Sequence, residues 1–235
     1  MTKTNTIRID YFSDVLCVWA YVAQIRLDEL RSAFNEQIVF RHHFIPLFGH
    51  TDHRIADGWQ DKGGFTGFGQ HIHAVCADFP HVEVHEALWH EQPPCSSAPA
   101  HQFLKAVQLL ELQGDISSEC LHHCQGRSRF EEVAWQLRLA FFRDNRRIDM
   151  RQELLSIAEE CELPVAAIKQ LLDNGQAMAG LMRDIELRDE YRIEGSPTYL
   201  LNEGRQKLYG NLGYRILEAN VREVLDKADN QASWC

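Results

Sequence analysis

The sequence lacks any long run of apolar residues. No stretch approaches the roughly 18 apolar residues that a membrane-spanning helix needs. The first ten residues, MTKTNTIRID, also lack the apolar core of a secretory signal peptide. We therefore expect a protein that has no membrane partner and is not exported, and we predict a cytoplasmic location.

An excess of positive charge is missing too. The chain carries 24 Lys and Arg against 34 Asp and Glu, a formal net charge of -10, and it has no basic block interleaved with aromatic residues. Nucleic acids and anionic membranes attract proteins through such basic surfaces. The charge balance therefore argues against both as partners.

A disulfide framework is absent as well. The seven cysteines are an odd number without regular spacing, and they stand at positions 17, 76, 95, 120, 124, 161 and 235. A chain of 235 residues can build a hydrophobic core and does not need disulfide staples. The pattern predicts reduced thiols, as in a reducing cytoplasm.

Complete metal-binding motifs are also lacking. Cys120 and Cys124 lie four residues apart with His122 and His123 between them, but a zinc site needs four converging ligands and no second close pair lies nearby. The histidine-rich segment HIHAVCADFPHVEVHEALWH contains no HExxH motif. We expect no bound metal and interpret these histidines as surface residues.

What the sequence does contain is β and helix patterns in a defined order. Apolar and polar residues alternate from Ile7 to Phe12, helical spacing follows from Cys17 to Phe34, and a second β-like run extends from Ile38 to Phe44. This order predicts a βαβ unit with parallel strands. After Gly195, the segments PTYLLN and QKLYG predict a β-hairpin, and a helix is predicted from Tyr214 to Lys227.

The middle of the chain has helical periodicity. Ser97 with Pro99 is predicted to begin one helix and Gly114 to end it. Asp149 with Gln152 resembles a capping box at the start of another helix.

Together these patterns predict an α/β protein with a thioredoxin fold, βαβ…ββα, that carries a large all-helical insertion. The predicted domains are a thioredoxin-like domain of residues 1–54 and 189–235 and a helical insertion domain of residues 55–188.

One cysteine stands where chemistry is expected. Cys17 in the segment SDVLCVWAY lies at the switch from strand to helix, where free backbone N–H groups and the positive end of the helix dipole favour a thiolate. We therefore expect the pKa of Cys17 to be lowered. Far along the chain, Pro197 in GSPT enters a predicted strand, and a cis bond there exposes the Ser196 backbone to an extended peptide or a thiol ligand.

At these two sites the sequence resembles the DsbA-like thioredoxin superfamily. The similarity is to the branch of FrnE-type proteins, 2-hydroxychromene-2-carboxylate isomerases and kappa-class glutathione transferases. SDVLCVWAY resembles the family pattern SDxxCPWCY, SSAPAH resembles the start of its insertion helix, and GSPTYLL resembles its cis-proline loop. The resemblance implies that Cys17 is the nucleophile, that Trp19, Ser196 and Pro197 bind substrate, and that His101 of SSAPAH lines the cleft.

Two positions depart from the family pattern. Val18 replaces a proline, and Ala20 stands in place of the second cysteine, so the motif is CxxA rather than CxxC. A dithiol can release its own mixed disulfide, whereas a single thiol needs an outside thiol for that step. The departure therefore predicts a monothiol mechanism.

Each candidate residue also has a structural interpretation. Cys17 at a helix start can be an inert small hydrophobe, and Trp19 and His101 can simply pack. Ser196 is expected to contribute its backbone and not its hydroxyl. His42 and His43 alternate along a strand, so at most one of them faces the cleft.

The predicted function is that of a DsbA-family thiol-disulfide oxidoreductase acting through Cys17. Two alternatives stay open: a glutathione-dependent isomerase or transferase, and a non-catalytic peptide-binding module. No tightly bound cofactor is expected, and glutathione is the candidate co-substrate that the resemblance implies. The partner is a thiol or disulfide substrate, either a protein or a small molecule, and a homodimer stays open.

Overall fold

The structure, a computed structural model, describes residues 6–119 and 126–226. Four candidate ligands, Cys120, His122, His123 and Cys124, fall outside these residues, and so does Cys235. The predictions made for them therefore stay predictions. In the two described segments, no helix is both long enough and apolar enough to cross a membrane.

Four strands of the described chain form one mixed sheet. Strands β1 to β4 span Ile7–Ser13, Ile38–Phe44, Thr198–Leu201 and Gln206–Tyr209. Their order is β2-β1-β3-β4, in which β1 pairs in parallel with β2 and the other two pairs are antiparallel. The predicted βαβ unit and the later hairpin are therefore confirmed, and β1 lies in the centre of the sheet.

Nine α-helices lie in the described residues. Helices α1 to α9 span Val18–Val22, Gln24–Phe34, Gly64–Cys76, Ala98–Gln113, Arg129–Phe142, Arg151–Glu160, Val165–Asp173, Gln176–Glu190 and Tyr214–Leu225. A π-helical turn at Asp52–Asp57 and a 3₁₀ turn at Gln60–Lys62 precede α3. In the described part of 55–188 there is no strand, as the periodicity predicts. The exact domain boundaries stay a prediction.

Side chains alternate along each strand, so neighbouring residues of β1 lie on opposite faces of the sheet and in different apolar clusters. Tyr11 of β1 lies in an apolar cluster with residues of α2 and α9. Its neighbour Phe12 lies in a second cluster with Ile193 and Leu200. The largest cluster joins α1 to the insertion helices, so α1 and those helices share one core. This is a thioredoxin-like fold with a helical insertion.

The predicted helix boundaries hold in part. Helix α4 begins after Ser97 and ends at Gly114, whose left-handed φ of 81° favours glycine. The Ser97 side chain makes no capping hydrogen bond, because its hydroxyl donates to Asp14 instead. The predicted capping box at Asp149 is wrong: Met150 precedes α6, and the Asp149 carboxylate accepts hydrogen bonds from Arg147.

Candidate active site

Cys17 lies at the end of the loop that joins β1 to α1. Its backbone N–H donates to the carbonyl of Asp14 at 3.1 Å, and its own carbonyl accepts the N–H groups of Ala20 and Tyr21. Cys17 is therefore the residue that precedes α1, with extended backbone angles. The strand-to-helix position predicted from the sequence is confirmed.

The structure brings the thiol and the second motif together. The Cys17 Sγ donates a hydrogen bond to the backbone carbonyl of Ser196 at 3.2 Å. The following Ser196–Pro197 peptide bond is cis, which is the predicted isomer. Cys17 and Ser196 are each 6% exposed, so the contact is almost completely buried.

The prediction that the pKa of Cys17 is lowered is wrong. Burial raises the pKa of the thiol, the side chain of Ser196 and the backbone at Ala20 lower it, and the Asp14 carboxylate raises it further. Helix α1 has only five residues, so its dipole contributes less than the desolvation of the thiolate costs.

A buried carboxylate, Asp14, organises the loop, and the sequence reasoning gave it no role. Asp14 Oδ1 accepts the N–H of Leu16 at 2.9 Å, and Oδ2 accepts the N–H of Phe48 and the hydroxyl of Ser97, each at 2.8 Å. Burial raises the pKa of Asp14, but His101 and these backbone donors outweigh that effect and lower it. An aspartate side chain often accepts the backbone N–H two residues later and so forms a turn. Asp14 followed by Leu16 is therefore the sequence signal from which this turn could have been predicted.

His101 also holds this loop in place. Its Nε2 accepts the N–H of Val15 at 3.0 Å and lies 3.5 Å from Asp14 Oδ1. The ring is fully buried and stacks on Phe44. The expectation that His101 lines the cleft is therefore corrected: the imidazole holds the loop in place and offers no surface to a ligand.

The Ser196 hydroxyl has a role that the sequence reasoning did not assign. Its Oγ accepts the backbone N–H of Asp14 at 3.0 Å. One residue thus contacts the loop through its hydroxyl and the thiol through its carbonyl. This arrangement ties the segment before β3 to the β1–α1 loop.

Trp19 lies on α1, two residues after the thiol, and is half-buried. Its ring meets Phe79 edge to face at a centroid distance of 6.5 Å. Nearby, His81 Nε2 is 3.0 Å from the carbonyl oxygen of Val22. The segment after α3 therefore borders α1, and Trp19 stays partly exposed.

The two strand histidines contact carboxylates on opposite faces of the sheet. His42 contacts Glu131 at 3.0 Å, and His43 contacts Asp10 and Asp184 on the other face of the sheet at 2.8 and 2.9 Å. Within residues 6–119 and 126–226, no group of three or more His, Cys, Asp or Glu side chains is arranged to hold a metal ion.

The arrangement suits thiol exchange at one sulfur. Ala20, at the position of a second cysteine, has no exposed surface and no thiol. Cys95 is exposed, and its N–H donates to Asp149. A disulfide that reaches Cys17 would meet a single nucleophile and the carbonyl of Ser196 beside it.

The family model of the DSBA-like thioredoxin domain matches residues 8–222. No curated protein matches the chain at a significant level.

Three solved structures are similar to the chain over almost its full length. A probable DsbA oxidoreductase from Streptomyces coelicolor has a TM-score of 0.70 and 16% identity, covering 97% of this chain and 94% of its own. The cytosolic disulfide reductase DsbM from Pseudomonas aeruginosa has a TM-score of 0.63 and 18% identity, covering 92% and 98%, and has also been solved with GSH. A 2-hydroxychromene-2-carboxylate isomerase has a TM-score of 0.60 and 14% identity, covering 96% and 100%. At these identities the similarity shows a shared fold.

Proposed function

We propose, because the chain belongs to the DSBA-like thioredoxin domain family, that it is a thiol-disulfide oxidoreductase with one nucleophilic cysteine, Cys17, and with glutathione as its co-substrate. One observation carries the proposal: the Cys17 Sγ lies 3.2 Å from the Ser196 carbonyl beside the cis Ser196–Pro197 bond. The absence of a thiol at Ala20 supports the monothiol mechanism.

The reaction has two exchange steps. The Cys17 thiolate attacks the glutathione sulfur of a mixed disulfide RSSG, forming Cys17–S–SG and releasing RS⁻, which takes up a proton. A glutathione thiolate then attacks the glutathione sulfur on Cys17, giving GSSG and restoring the Cys17 thiolate. The balance is RSSG plus GSH to RSH plus GSSG, so glutathione is the two-electron reductant.

The site can guide an extended ligand. The Ser196 backbone lies next to the thiol, and Trp19 on α1 is partly exposed. Backbone pairing of a substrate at the Pro197 loop would place its disulfide over Cys17. The structure of DsbM with GSH supports glutathione as the partner. A reducing cytoplasm supplies it, and we propose that location for this chain.

A second candidate function has its own support. Burial raises the pKa of Cys17, which lowers the thiolate population at neutral pH. In a glutathione-dependent isomerase or transferase the bound glutathione would supply the reactive sulfur instead. The similarity to a 2-hydroxychromene-2-carboxylate isomerase supports this alternative.

The test is an assay of glutathionylated peptide reduction by the full chain, with GSH present or omitted. We expect turnover only with GSH, trapping of a Cys17–glutathione disulfide when GSH is omitted, and loss of both in Cys17→Ser. Cys95→Ser and Cys235→Ser are matched controls and should keep wild-type rates.

Three outcomes would contradict the redox proposal. Turnover without GSH that neither control variant changes would exclude the monothiol mechanism. Isomerase or transferase activity that survives in Cys17→Ser would favour the second candidate. Binding of extended peptides with no turnover of either kind would indicate a non-catalytic binding module.

A further inference from the structure

The loop that ends at Cys17 is held by its backbone N–H groups. Each of the four N–H groups from position 14 to position 17 donates a hydrogen bond. Three of them reach the Ser196 hydroxyl or an oxygen of Asp14, at distances from 2.9 to 3.1 Å. The fourth, from Val15, donates to Nε2 of His101 at 3.0 Å. Val15 is fully buried, so without this imidazole its N–H group would be buried and unsatisfied.

The hydrogen bond from Val15 determines where the neutral imidazole of His101 carries its proton. A ring nitrogen accepts an N–H group only through a lone pair, so Nε2 is unprotonated and the proton lies on Nδ1. Within residues 6–119 and 126–226, Nδ1 is buried and has no hydrogen-bond partner, so nothing at Nδ1 favours the other tautomer. That other tautomer would turn two N–H groups toward each other at Val15.

Asp14 makes this arrangement sensitive to a second proton on the ring. Its Oδ1 lies 3.5 Å from the same Nε2 of His101. A protonated Nε2 would donate to that carboxylate and could no longer accept the N–H of Val15. The ring is fully buried and stacks on Phe44 of β2 at a centroid distance of 5.3 Å, so water does not replace the lost acceptor.

The carboxylate of Asp14 is the acidic group that meets the imidazole of His101. The other buried charged groups in this part of the core are bonded elsewhere: Lys105 to Asp184, Arg138 to Ser13, His42 to Glu131, Asp10 to His43 and Arg127 to Asp28. A second proton on the ring would therefore act on the loop of Cys17 through Asp14.

The helical insertion supplies this support through the first turn of α4. The backbone N–H of His101 donates to the carbonyl of Ser97 at 3.0 Å, which fixes the ring relative to that residue. The Ser97 hydroxyl donates to Asp14 Oδ2 at 2.8 Å. The same turn of α4 therefore contacts the loop twice, through a hydroxyl and through an imidazole.

We propose that His101 is a positioning residue for the reaction and that it acts only as the neutral imidazole with its proton on Nδ1. In this state it holds Val15 and thereby the backbone that places the Cys17 sulfur 3.2 Å from the Ser196 carbonyl. A second proton, on Nε2, exchanges the Val15 hydrogen bond for an ion pair with Asp14, and the loop then moves. The inference rests on the proposed function and adds a residue of the insertion to it.

The first measurement is nitrogen NMR of the full-length wild type, with the His101 signals assigned by their loss in His101→Gln. At about pH 8 we expect a proton on Nδ1 and none on Nε2. On acidification to about pH 5 we expect the ring to gain its second proton. The Val15 amide should then lose about tenfold or more of its protection from hydrogen exchange, relative to the intrinsic rate. In His101→Gln this protection should not change with pH, because an amide side chain does not titrate.

The second measurement is the reduction of a glutathionylated peptide with GSH at about pH 8, where imidazoles are neutral. His101→Leu removes the acceptor for Val15 and should lower kcat about tenfold with little change in KM. His101→Gln offers an amide oxygen at the reach of Nε2 and should restore kcat to within about threefold of wild type. His90→Gln, at an exposed position, is the matched control and should keep the wild-type rate.

Three results would overturn the role of His101. They are a proton on Nε2 at about pH 8, a ring or a Val15 protection that does not respond down to about pH 5, and an unchanged kcat in folded His101→Leu. If His101→Gln is as slow as His101→Leu, the ring acts by packing against Phe44, which would also overturn the inference.

The failure of the proposed function gives a different result. A wild type without turnover would contradict that function, whereas the NMR signals of His101 and Val15 would still report the proton position and its effect on the loop. If His101→Leu does not fold, the NMR measurements on wild type and the comparison with His101→Gln decide the outcome.

Discussion

The Sγ atom of Cys17 lies 3.2 Å from the backbone carbonyl oxygen of Ser196, a residue 179 positions later in the chain. The Ser196 hydroxyl contacts the other end of the same loop at Asp14. Ser196 therefore links two segments that are distant in sequence, because its carbonyl contacts the thiol and its hydroxyl contacts Asp14.

Ser196→Ala removes the hydroxyl and keeps the carbonyl. The Ser196 side chain lowers the pKa of Cys17, so its loss should raise that pKa. We expect alkylation of Cys17 at neutral pH to slow by about threefold to tenfold, the effect of losing one hydrogen bond of ordinary strength. Ser156→Ala on α6 is the control. A rate as fast as wild type would show that only the backbone of Ser196 matters.

Asp14→Asn should change stability and reactivity in opposite directions. The amide places N–H groups where Asp14 now accepts from Phe48 and Ser97, which should lower the free energy of unfolding by about 3 kcal/mol. Removing the negative charge should lower the pKa of Cys17, which Asp14 raises. Urea denaturation and alkylation measure the two effects. A variant with unchanged stability would contradict the central role given to Asp14.

His43 and His42 should give stability profiles of opposite sign. Burial lowers the pKa of His43, but Asp10 and Asp184 outweigh this and raise it, with Lys105 and Arg8 as the nearby cations. A raised pKa means that the folded state binds more protons. The stability from His43 is therefore present below the unfolded pKa of about 6.5 and is lost as the pH rises through the folded pKa.

For His42, burial dominates and lowers the pKa, so its contribution is lost as the pH falls from about 6.5 through the folded value. Urea denaturation of His43→Gln and His42→Gln across this range checks both signs. We expect the His43→Gln profile to lose the decline at higher pH. If both variants shift the profile in the same direction, the assignment of the two environments is wrong.

Ala20→Cys should shorten the lifetime of the Cys17 mixed disulfide. The Ala20 N–H donates to the Cys17 carbonyl at 3.1 Å, so a thiol at position 20 would lie on the first turn of α1 beside the sulfur. It could attack the mixed disulfide at high effective concentration. Quenched-flow trapping of the glutathione adduct measures the lifetime, with Ala20→Ser as control. A lifetime that is unchanged would indicate that another cysteine already resolves the adduct.

Gly195 allows Tyr209 to cover the Pro197 loop. A Cβ at Gly195 would lie 2.4 Å from the Tyr209 ring and 2.5 Å from its hydroxyl. Gly195→Ala should therefore destabilise the protein by about 1–3 kcal/mol, and Tyr209→Ala in the same chain should remove most of that loss. Thermal unfolding of the double-mutant cycle gives the coupling. Additive effects would show that the loop moves away freely.

The sequence by itself determined the order of elements and the position of the thiol. Alternation in β1 and β2 and helical spacing in the insertion are local patterns, so they predict local structure without knowledge of the packing. The motifs at Cys17 and Pro197 likewise identified the two segments of the candidate site, because residue type and order are visible in the sequence. Ala20 indicated a single-thiol mechanism because the absence of a sulfur atom is visible in the sequence.

Only the tertiary structure decided the environment of that thiol. The pKa of Cys17 depends on burial and on Asp14 and Ser196, and the local helix argument gave the wrong direction because α1 is short and the sulfur is buried. His101 proved to be a buried support of the loop, and Ser196, which contacts the sulfur, lies 179 positions from Cys17 in sequence. Desolvation and electrostatic interactions depend on distances in space, and residues that are far apart in the chain set those distances only when it folds.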